Sequence, residues 1–251
     1  MTLGVGITHQ VERSHPGWTD RVLAALGNPP YHNWLFDRPS GNGYTPTLFR
    51  VLPDDHTQPT RPLERAIVRA QANPTELWLL GNEPHVAESG YIPAATFGAV
   101  VEDWTTETVN PWAMPGIILQ PDGYEWLERY LDTYYPLPNY WHVHVYWQTT
   151  PQQWRAKLDE FYLWAHQRNV ERPVIVTETC ANSRDVDDQK RLLDYLAGVA
   201  EPVFWYASYD YWNRWPWVNL ANLDGTLTDL GRHFAQLVKA DETIYLPIVE
   251  G

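Results

Sequence analysis

Short apolar runs recur along the chain and alternate with longer stretches whose apolar residues follow helical spacing. An apolar run of about four to eight residues bounded by turn residues is typical of a buried strand. Eight runs of this kind are present: LGVGIT from Leu3, YHNWLF from Tyr31, TLFRVL from Thr47, LWLLGNEP from Leu77, PGIILQ from Pro115, YWHVHVYW from Tyr140, PVIVTET from Pro173 and VFWYASY from Val203.

Helical patterns lie between most of these runs. One covers residues 61–72, with Pro62 in its first turn, and another covers residues 152–169. A third, at residues 187–199, begins with acidic residues, which suit the positive end of the helix dipole. The fourth covers residues 226–240.

The alternation of strands and helices predicts parallel strands joined by helical crossovers. Eight such units close into a (β/α)8 TIM barrel of about 250 residues, and this chain has 251. The connection at residues 38–47 is short and rich in Gly and Pro, so we expect one unit to lack its helix. No linker divides the chain, which predicts a single catalytic domain over residues 1–251. An open doubly wound sheet is the alternative fold.

Two glutamates stand at the ends of predicted strands, where functional groups of such barrels lie. The fourth run ends in GNEP, which contains Glu83, and the seventh ends in TET, which contains Glu178. An ionised carboxylate beside an apolar strand is costly unless it is paired or used. Two facing glutamates suit glycoside hydrolysis, in which one protonates the leaving oxygen and the other attacks carbon or activates water. That each glutamate merely caps a helix is the simpler interpretation, and it is weaker for the pair.

The sixth run alternates in character along its length. Tyr140, His142, His144 and Tyr146 fall on one face, and Trp141, Val143 and Val145 fall on the other. A period of two places the polar face inside the barrel, where we expect His142 to be a hydrogen-bonded core residue. The pair His142 and His144 also has the spacing of zinc ligands. A metal-dependent barrel hydrolase is therefore an alternative function.

Aromatic residues are unusually frequent, with 14 Trp, 15 Tyr and 6 Phe. The mean hydropathy is nevertheless −0.44, so we expect some of the rings to line a cleft, where they suit the apolar faces of sugars. A glycan-binding barrel without catalysis is the third hypothesis. The candidates at or after strand ends are Trp34, Trp147, Trp205, Tyr206, Tyr209, Trp212, Trp215 and Trp217.

The charge, the apolar runs and the cysteine content exclude several classes of binding partner and structure. The net charge of −13 argues against nucleic acid and anionic membranes and fits a neutral polymer. No apolar run approaches the roughly 20 residues that span a bilayer. No signal peptide opens the sequence, which leaves two locations, the cytoplasm or the outside of the cell after loss of a leader. Cys180 is the one cysteine, which rules out an internal disulfide framework, and we expect it to be a packed residue.

The motifs, in their order, resemble those of the clan A glycoside hydrolases, and within them a small glycosyl hydrolase catalytic-core family that includes endo-β-1,3-glucanases. YHNWLF resembles that family's YNW, WLLGNEPH its LGFNEPD, HVHVYW its HWY, and PVIVTETC its WVTEFA. Residues 222–231 resemble its closing LDxxGxLTxLG motif. Two positions depart from the family pattern. His85 replaces an acidic residue, and RVLP from Arg50 replaces a Pro-Met pair.

This resemblance implies a retaining, endo-acting hydrolase of β-linked polysaccharide, with β-1,3-glucan the best substrate and no cofactor or metal. It makes Glu83 the general acid/base, with the higher pKa of the two glutamates, and Glu178 the nucleophile about 5–5.5 Å away. We expect a monomer whose partner is an oligo- or polysaccharide. The substrate-binding residues that the resemblance implies are Asn33, Trp34, Asn82, His144, Tyr146 and, on the last strand, Trp205 or Tyr206.

Overall fold

The structure is a computed structural model that describes residues 3–36, 38, 43–49, 62–133, 135–146 and 148–244. The RVLP stretch from Arg50 and the candidate Trp147 lie outside the described residues.

Strands and helices alternate along the described residues. The strands are β1 (Leu3–Gly6), β2 (Tyr31–His32), β3 (Thr47–Leu48), β4 (Trp78–Leu80), β5 (Trp112–Ala113), β6 (Ile117–Ile118), β7 (Trp141–Val145), β8 (Val174–Thr179) and β9 (Val203–Trp205). The helices are α1 (His9–Ser14), α2 (Trp18–Leu26), α3 (Pro62–Ala72), α4 (Ala94–Glu107), α5 (Pro121–Leu131), α6 (Pro151–Gln167), α7 (Val186–Leu196) and α8 (Asp229–Ile244). Each predicted run contains a strand, and β5 is a short strand that the pattern did not predict.

Parallel strands form two sheets. The larger has the order β2-β1-β9-β8-β7-β6, and the smaller has the order β3-β4-β5. Backbone contacts join them: the Thr47 N–H donates to the Leu35 carbonyl at 2.8 Å, and Asn82 pairs with Gly116 in an isolated parallel bridge. The predicted α/β class, with parallel strands and helical crossovers, is confirmed.

The segment between β2 and β3 contains no helix among its described residues, as the Gly/Pro-rich sequence predicted. Instead the chain runs beside β2. The Tyr31 N–H donates to the Gly43 carbonyl at 2.9 Å, and the Thr45 N–H donates to the Tyr31 carbonyl at 2.9 Å. Because these groups pair with β2, the segment extends the sheet and does not cross over as a helix.

Helices pack against the strands, as α6 does against β7. α6 begins at a capping box, in which Thr150 and Gln153 satisfy each other's backbone N–H groups. From β7, Trp141 packs edge-on against Phe161 and Trp164 of α6, with ring centroids 5.9 Å apart in both pairs. Trp78, Trp104, Trp126, Trp154 and Trp164 are all buried, which confirms their predicted packing role. None of the described helices is long and apolar enough to cross a membrane.

Candidate active site

Strand ends bring Glu83, His144 and Glu178 together. In the pairing of β7 with β8, His144 lies beside Glu178. Glu83 follows β4, and its backbone N–H donates to the Gly116 carbonyl at 2.8 Å, just before β6. A carboxylate oxygen of each glutamate and a ring nitrogen of His144 lie within 4.8 Å of one another. The two glutamates that the sequence singled out therefore meet at one site.

Glu83 is held by two polar side chains. His144 Nδ1 lies 2.9 Å from Glu83 Oε1, and the Ser89 hydroxyl donates to Glu83 Oε2 at 2.8 Å. The backbone of Glu83 has a φ of +46°, a left-handed conformation that costs a non-glycine residue about 1–2 kcal/mol. Strained backbone of this kind clusters at functional sites, where the surroundings hold it in place.

Glu178 is buried and receives hydrogen bonds on both oxygens. The Trp34 indole N–H donates to Oε1 at 2.6 Å, and the Tyr146 hydroxyl donates to Oε2 at 2.5 Å. His144 Nε2 lies 3.7 Å from Oε1, so the His144 ring stands between the two glutamates. Both donors favour the ionised carboxylate and fix its orientation.

The pKa values of the two glutamates shift in opposite directions. Burial raises the pKa of Glu178, and the charge of Glu83 adds to this, outweighing His144 and the two hydrogen bonds. Burial also opposes ionisation of Glu83, but the hydrogen bond and charge of His144, with Ser89, lower its pKa. Burial opposes the charge of His144 as well, yet both glutamates raise its pKa. The prediction that Glu83 has the higher pKa is therefore wrong for this arrangement.

Four aromatic side chains pack on one another next to Glu178, two of them hydrogen-bonded to it, and are here called the aromatic wall: Trp34, Tyr146, Tyr206 and Trp215. Their neighbouring ring centroids lie between 5.3 and 6.0 Å apart. Tyr206 follows β9, and Trp215 comes from the loop after it. Since Trp34, Tyr206 and Trp215 are only half-buried, the wall presents ring surface beside the nucleophile candidate.

The structure corrects two predicted sugar contacts. Trp205 is fully buried and donates its indole N–H to the Val218 carbonyl at 3.0 Å, so it belongs to the core. Successive residues of a strand point to opposite faces, and Tyr206 is the one that points to the site. Asn33 is 3% exposed, and its side-chain oxygen accepts from the Leu35 N–H at 3.2 Å and the Tyr44 hydroxyl at 2.9 Å. Asn33 therefore holds the turn after β2.

The other predicted contacts adjoin the glutamates. His144 hydrogen-bonds Glu83 and Tyr146 hydrogen-bonds Glu178, and the contact of either side chain with a sugar stays a prediction. Asn82 is buried beside Glu83, and its contact with a sugar stays a prediction. His85 is also buried, and burial lowers its pKa. The sequence missed Ser89, because a hydroxyl six positions after a glutamate belongs to no recognised pattern.

His142 is the core residue that the alternation predicted, with its Nε2 against the Thr177 hydroxyl. A Cβ on Gly116 would lie 2.3 Å from His144 Nε2 and 2.9 Å from His142 Nε2, so this close packing requires glycine. Among the described residues, the one group of side chains with metal-ligand spacing is Glu83, His144 and Glu178. The metal site predicted around both histidines is therefore not formed, because His142 faces Thr177.

Cys180 follows Glu178 and is a buried, free thiol. Burial raises its pKa, and the nearby charges of Glu178 and Asp210 add to the shift. The thiol is therefore neutral at ordinary pH, which agrees with its predicted role as a packed residue.

Parallel strands with two glutamates at strand ends are the arrangement in which barrel enzymes carry out glycoside hydrolysis. No family model matches this sequence, and no curated protein matches it. Solved structures do match. A GH128 (subgroup II) endo-β-1,3-glucanase from Sorangium cellulosum aligns with a TM-score of 0.67 and 17% identity, over 94% of this chain and 98% of that one.

Two further structures extend the comparison. A GH128 (subgroup I) endo-β-1,3-glucanase from Amycolatopsis mediterranei, in complex with laminaritriose, has a TM-score of 0.65 and 15% identity, over 94% of this chain and 99% of that one. A GH128 (subgroup VII) oligosaccharide-binding protein from Trichoderma gamsii has a TM-score of 0.64 and 13% identity, over 96% and 94%. At these identities the likeness shows a shared fold.

Proposed function

We propose that the protein is a retaining glycoside hydrolase that cleaves β-1,3-glucan by double displacement. The observation that carries this proposal is the pair Glu83 and Glu178, with carboxylate oxygens within 4.8 Å of each other. In retaining enzymes the two carboxyl groups are about 5–5.5 Å apart, whereas inverting enzymes need about 6.5–9.5 Å to admit a water. The short separation supports direct attack by one carboxylate on the sugar.

Glu178 is the proposed nucleophile. Its two oxygens are fixed by Trp34 and Tyr146 at 2.6 and 2.5 Å, so the carboxylate is oriented before substrate arrives. One oxygen attacks the anomeric carbon and forms a glycosyl ester as the bond to the leaving oxygen breaks. Water then attacks the same carbon, and Glu178 leaves as a carboxylate.

Glu83 is the proposed acid and then the base. It needs a proton when the leaving oxygen departs, and its lowered pKa keeps that proton on His144 beforehand. The 2.9 Å contact between His144 Nδ1 and Glu83 Oε1 gives the proton a direct path to Glu83. In the second step Glu83 removes a proton from the attacking water and passes it back to His144 over the same contact, which restores the starting protonation state.

The substrate class rests on similarity of structure and on composition. The Amycolatopsis mediterranei glucanase, which shares this fold, holds laminaritriose. The net charge of −13 suits a neutral glucan better than an acidic polysaccharide.

We further propose that cleavage is endo-acting. We also propose that the two sheets are arcs of one closed (β/α)8 barrel, which forms a single catalytic domain and acts as a monomer.

A carbohydrate-binding protein without hydrolase activity is the second candidate. It is favoured by the Trichoderma gamsii oligosaccharide-binding protein, which has the same fold. In that case the aromatic wall would hold the sugar and the two glutamates would serve only as hydrogen-bonding groups.

An assay of the wild-type protein on laminarin, mannan and xylan, with and without chelator, tests the proposal. We expect reducing ends to be released from laminarin, with no effect of chelator. Binding of laminarin without cleavage would support the second candidate, and loss of cleavage on chelation would support the metal-dependent alternative. Cleavage of mannan or xylan alone would contradict the substrate proposed.

Replacing His144 should narrow the pH profile of activity. Without the positive ring, the pKa of Glu178 rises further, which moves the acid limb of kcat/KM upward. Glu83 loses the partner that holds its proton, so we expect the alkaline limb of the profile to move to lower pH in His144→Asn. The matched control is His166→Asn, at an exposed histidine of α6. An unchanged profile in His144→Asn would contradict the proton path.

A further inference from the structure

The loop at residues 210–219, which follows β9, carries two exposed rings at its tip. Tyr211 is 49% exposed and Trp212 is 59% exposed, and their ring centroids are 6.0 Å apart in an edge-to-face arrangement. Among the described tryptophans, Trp212 alone is exposed, and the others are buried or half-buried. These two rings leave a large apolar surface in water, whereas the other described tryptophans pack against the rest of the protein. An exposed apolar surface of this kind indicates a binding site.

Hydrogen bonds fix this loop from inside. Asp210 is 2% exposed, and its carboxylate accepts from the Trp215 backbone N–H. The Asp210 N–H donates to the Asn219 side-chain oxygen at 2.5 Å, and the Asn213 N–H donates to the Asp210 carbonyl at 3.0 Å. The base of the loop is therefore closed on itself, and the exposed rings stand on a fixed support.

Side-chain packing connects the same loop to the active site. Trp215 packs on Tyr146 and Tyr206 at centroid distances of 5.3 and 5.8 Å. Arg184, from the loop after β8, lies 5.1 Å above the ring of Trp217. One side of the loop, at Trp215, thus belongs to the aromatic wall.

Chain geometry limits how far the tip can be from the wall. Trp212 is three residues before Trp215, so their Cα atoms are at most about 11 Å apart. A sugar chain that passes the aromatic wall therefore reaches the tip within a few units. A protein partner would need about 800 Å² on this side, whereas two rings offer the flat, partly polar surface that suits a single sugar ring.

We propose that Tyr211 and Trp212 form a distal carbohydrate subsite, on which a sugar unit of the polymer stacks away from the cleaved bond. The inference deepens the proposed glucan hydrolysis and rests on it. The subsite contributes affinity for long chains and makes no contact with the reacting sugars. Loss of the subsite should therefore weaken binding of the polymer and leave the rate of the chemical step unchanged.

The test compares a long and a short substrate. We expect Trp212→Ala to lower kcat/KM on laminarin about tenfold, through KM, since one stacking contact contributes roughly this much. On an activated aryl β-laminaribioside, which offers only two sugar units beside the cleaved bond, the same variant should stay within about twofold of wild type. Trp212→Phe, which keeps a flat ring, should retain most of the activity on laminarin.

The control is Leu163→Ala, which removes an exposed apolar side chain from α6 and should leave kcat/KM unchanged on both substrates. Equal losses on both substrates in Trp212→Ala, or no loss on laminarin, would overturn the subsite and leave the hydrolase proposal standing. If the wild type cleaves neither substrate, the hydrolase proposal fails. Affinity electrophoresis in laminarin then decides the subsite: weaker retardation of Trp212→Ala supports it, and equal retardation overturns it.

Discussion

Glu178→Gln is expected to lower kcat on laminarin by about 10⁴-fold or more, because the amide cannot form the glycosyl ester. The fold should survive, since Gln keeps the volume and one acceptor oxygen for Trp34 or Tyr146. Removing a buried carboxylate whose pKa is raised also removes a charge that burial disfavours. The measurement is initial-rate kinetics, with thermal unfolding to check the fold.

The control for this variant is Glu88→Gln, which changes an exposed glutamate near the site and should keep full activity. Glu178→Ala with azide sharpens the assignment. Azide can enter the space left by the carboxylate. It then attacks the anomeric carbon from the side where Glu178 stood, opposite the activated leaving group, which gives the α-glycosyl azide. A β-glycosyl azide from Glu178→Ala would contradict the role given to Glu178.

Glu83→Gln is expected to lower kcat/KM on laminarin by about 10²–10⁴-fold, because the leaving oxygen of a glucan departs poorly without a proton. An activated aryl glycoside needs little protonation, so its first step should lose far less. The measurement is the ratio of kcat/KM on the two substrates. Equal losses on both would mean that Glu83 is not the acid.

The second step gives an independent check on Glu83. In Glu83→Ala, water attacks the glycosyl-enzyme slowly, since no base removes its proton. Azide needs no base and should restore turnover of the aryl glycoside, with the β-glycosyl azide as product. Failure of azide to raise the rate would count against Glu83 as the base, and Ser89→Ala, which removes only a hydrogen bond, should need no azide.

Much of the fold was readable from local patterns. Each apolar run contains a strand, because parallel strands are buried on both faces and tolerate few polar residues. α3 and α6 begin at prolines in the first turn, where the missing N–H costs nothing. β5 was missed because Trp112–Ala113 is a two-residue strand, too short for any periodicity to show.

The candidate site was predictable in its residues and less so in its geometry. Glu83 and Glu178 come directly after apolar runs, and the sequence alone marks such carboxylates as paired or used. The choice between Trp205 and Tyr206 depends on the register of β9, which a one-residue shift reverses. The structure resolves it by burying Trp205 against Val218.

The pKa order of the glutamates could not be read from the sequence. It depends on the His144 ring, which lies 2.9 Å from Glu83 through Nδ1 and 3.7 Å from Glu178 through Nε2. A strand pattern shows that His144 points inward, but it does not say which carboxylate the ring will contact. Ser89, which lies in a short 3-10 helix, donates a second hydrogen bond to Glu83, and no sequence motif predicts this contact.

The central claim is that Glu178 forms a covalent bond to the sugar. Incubation with an activated 2-deoxy-2-fluoro β-laminaribioside, followed by peptide mass spectrometry, tests it most directly, because fluorine slows hydrolysis of the ester. We expect one added glycosyl mass, on the peptide that contains Glu178. Turnover of laminarin without any adduct, or an adduct on Glu83, would contradict it.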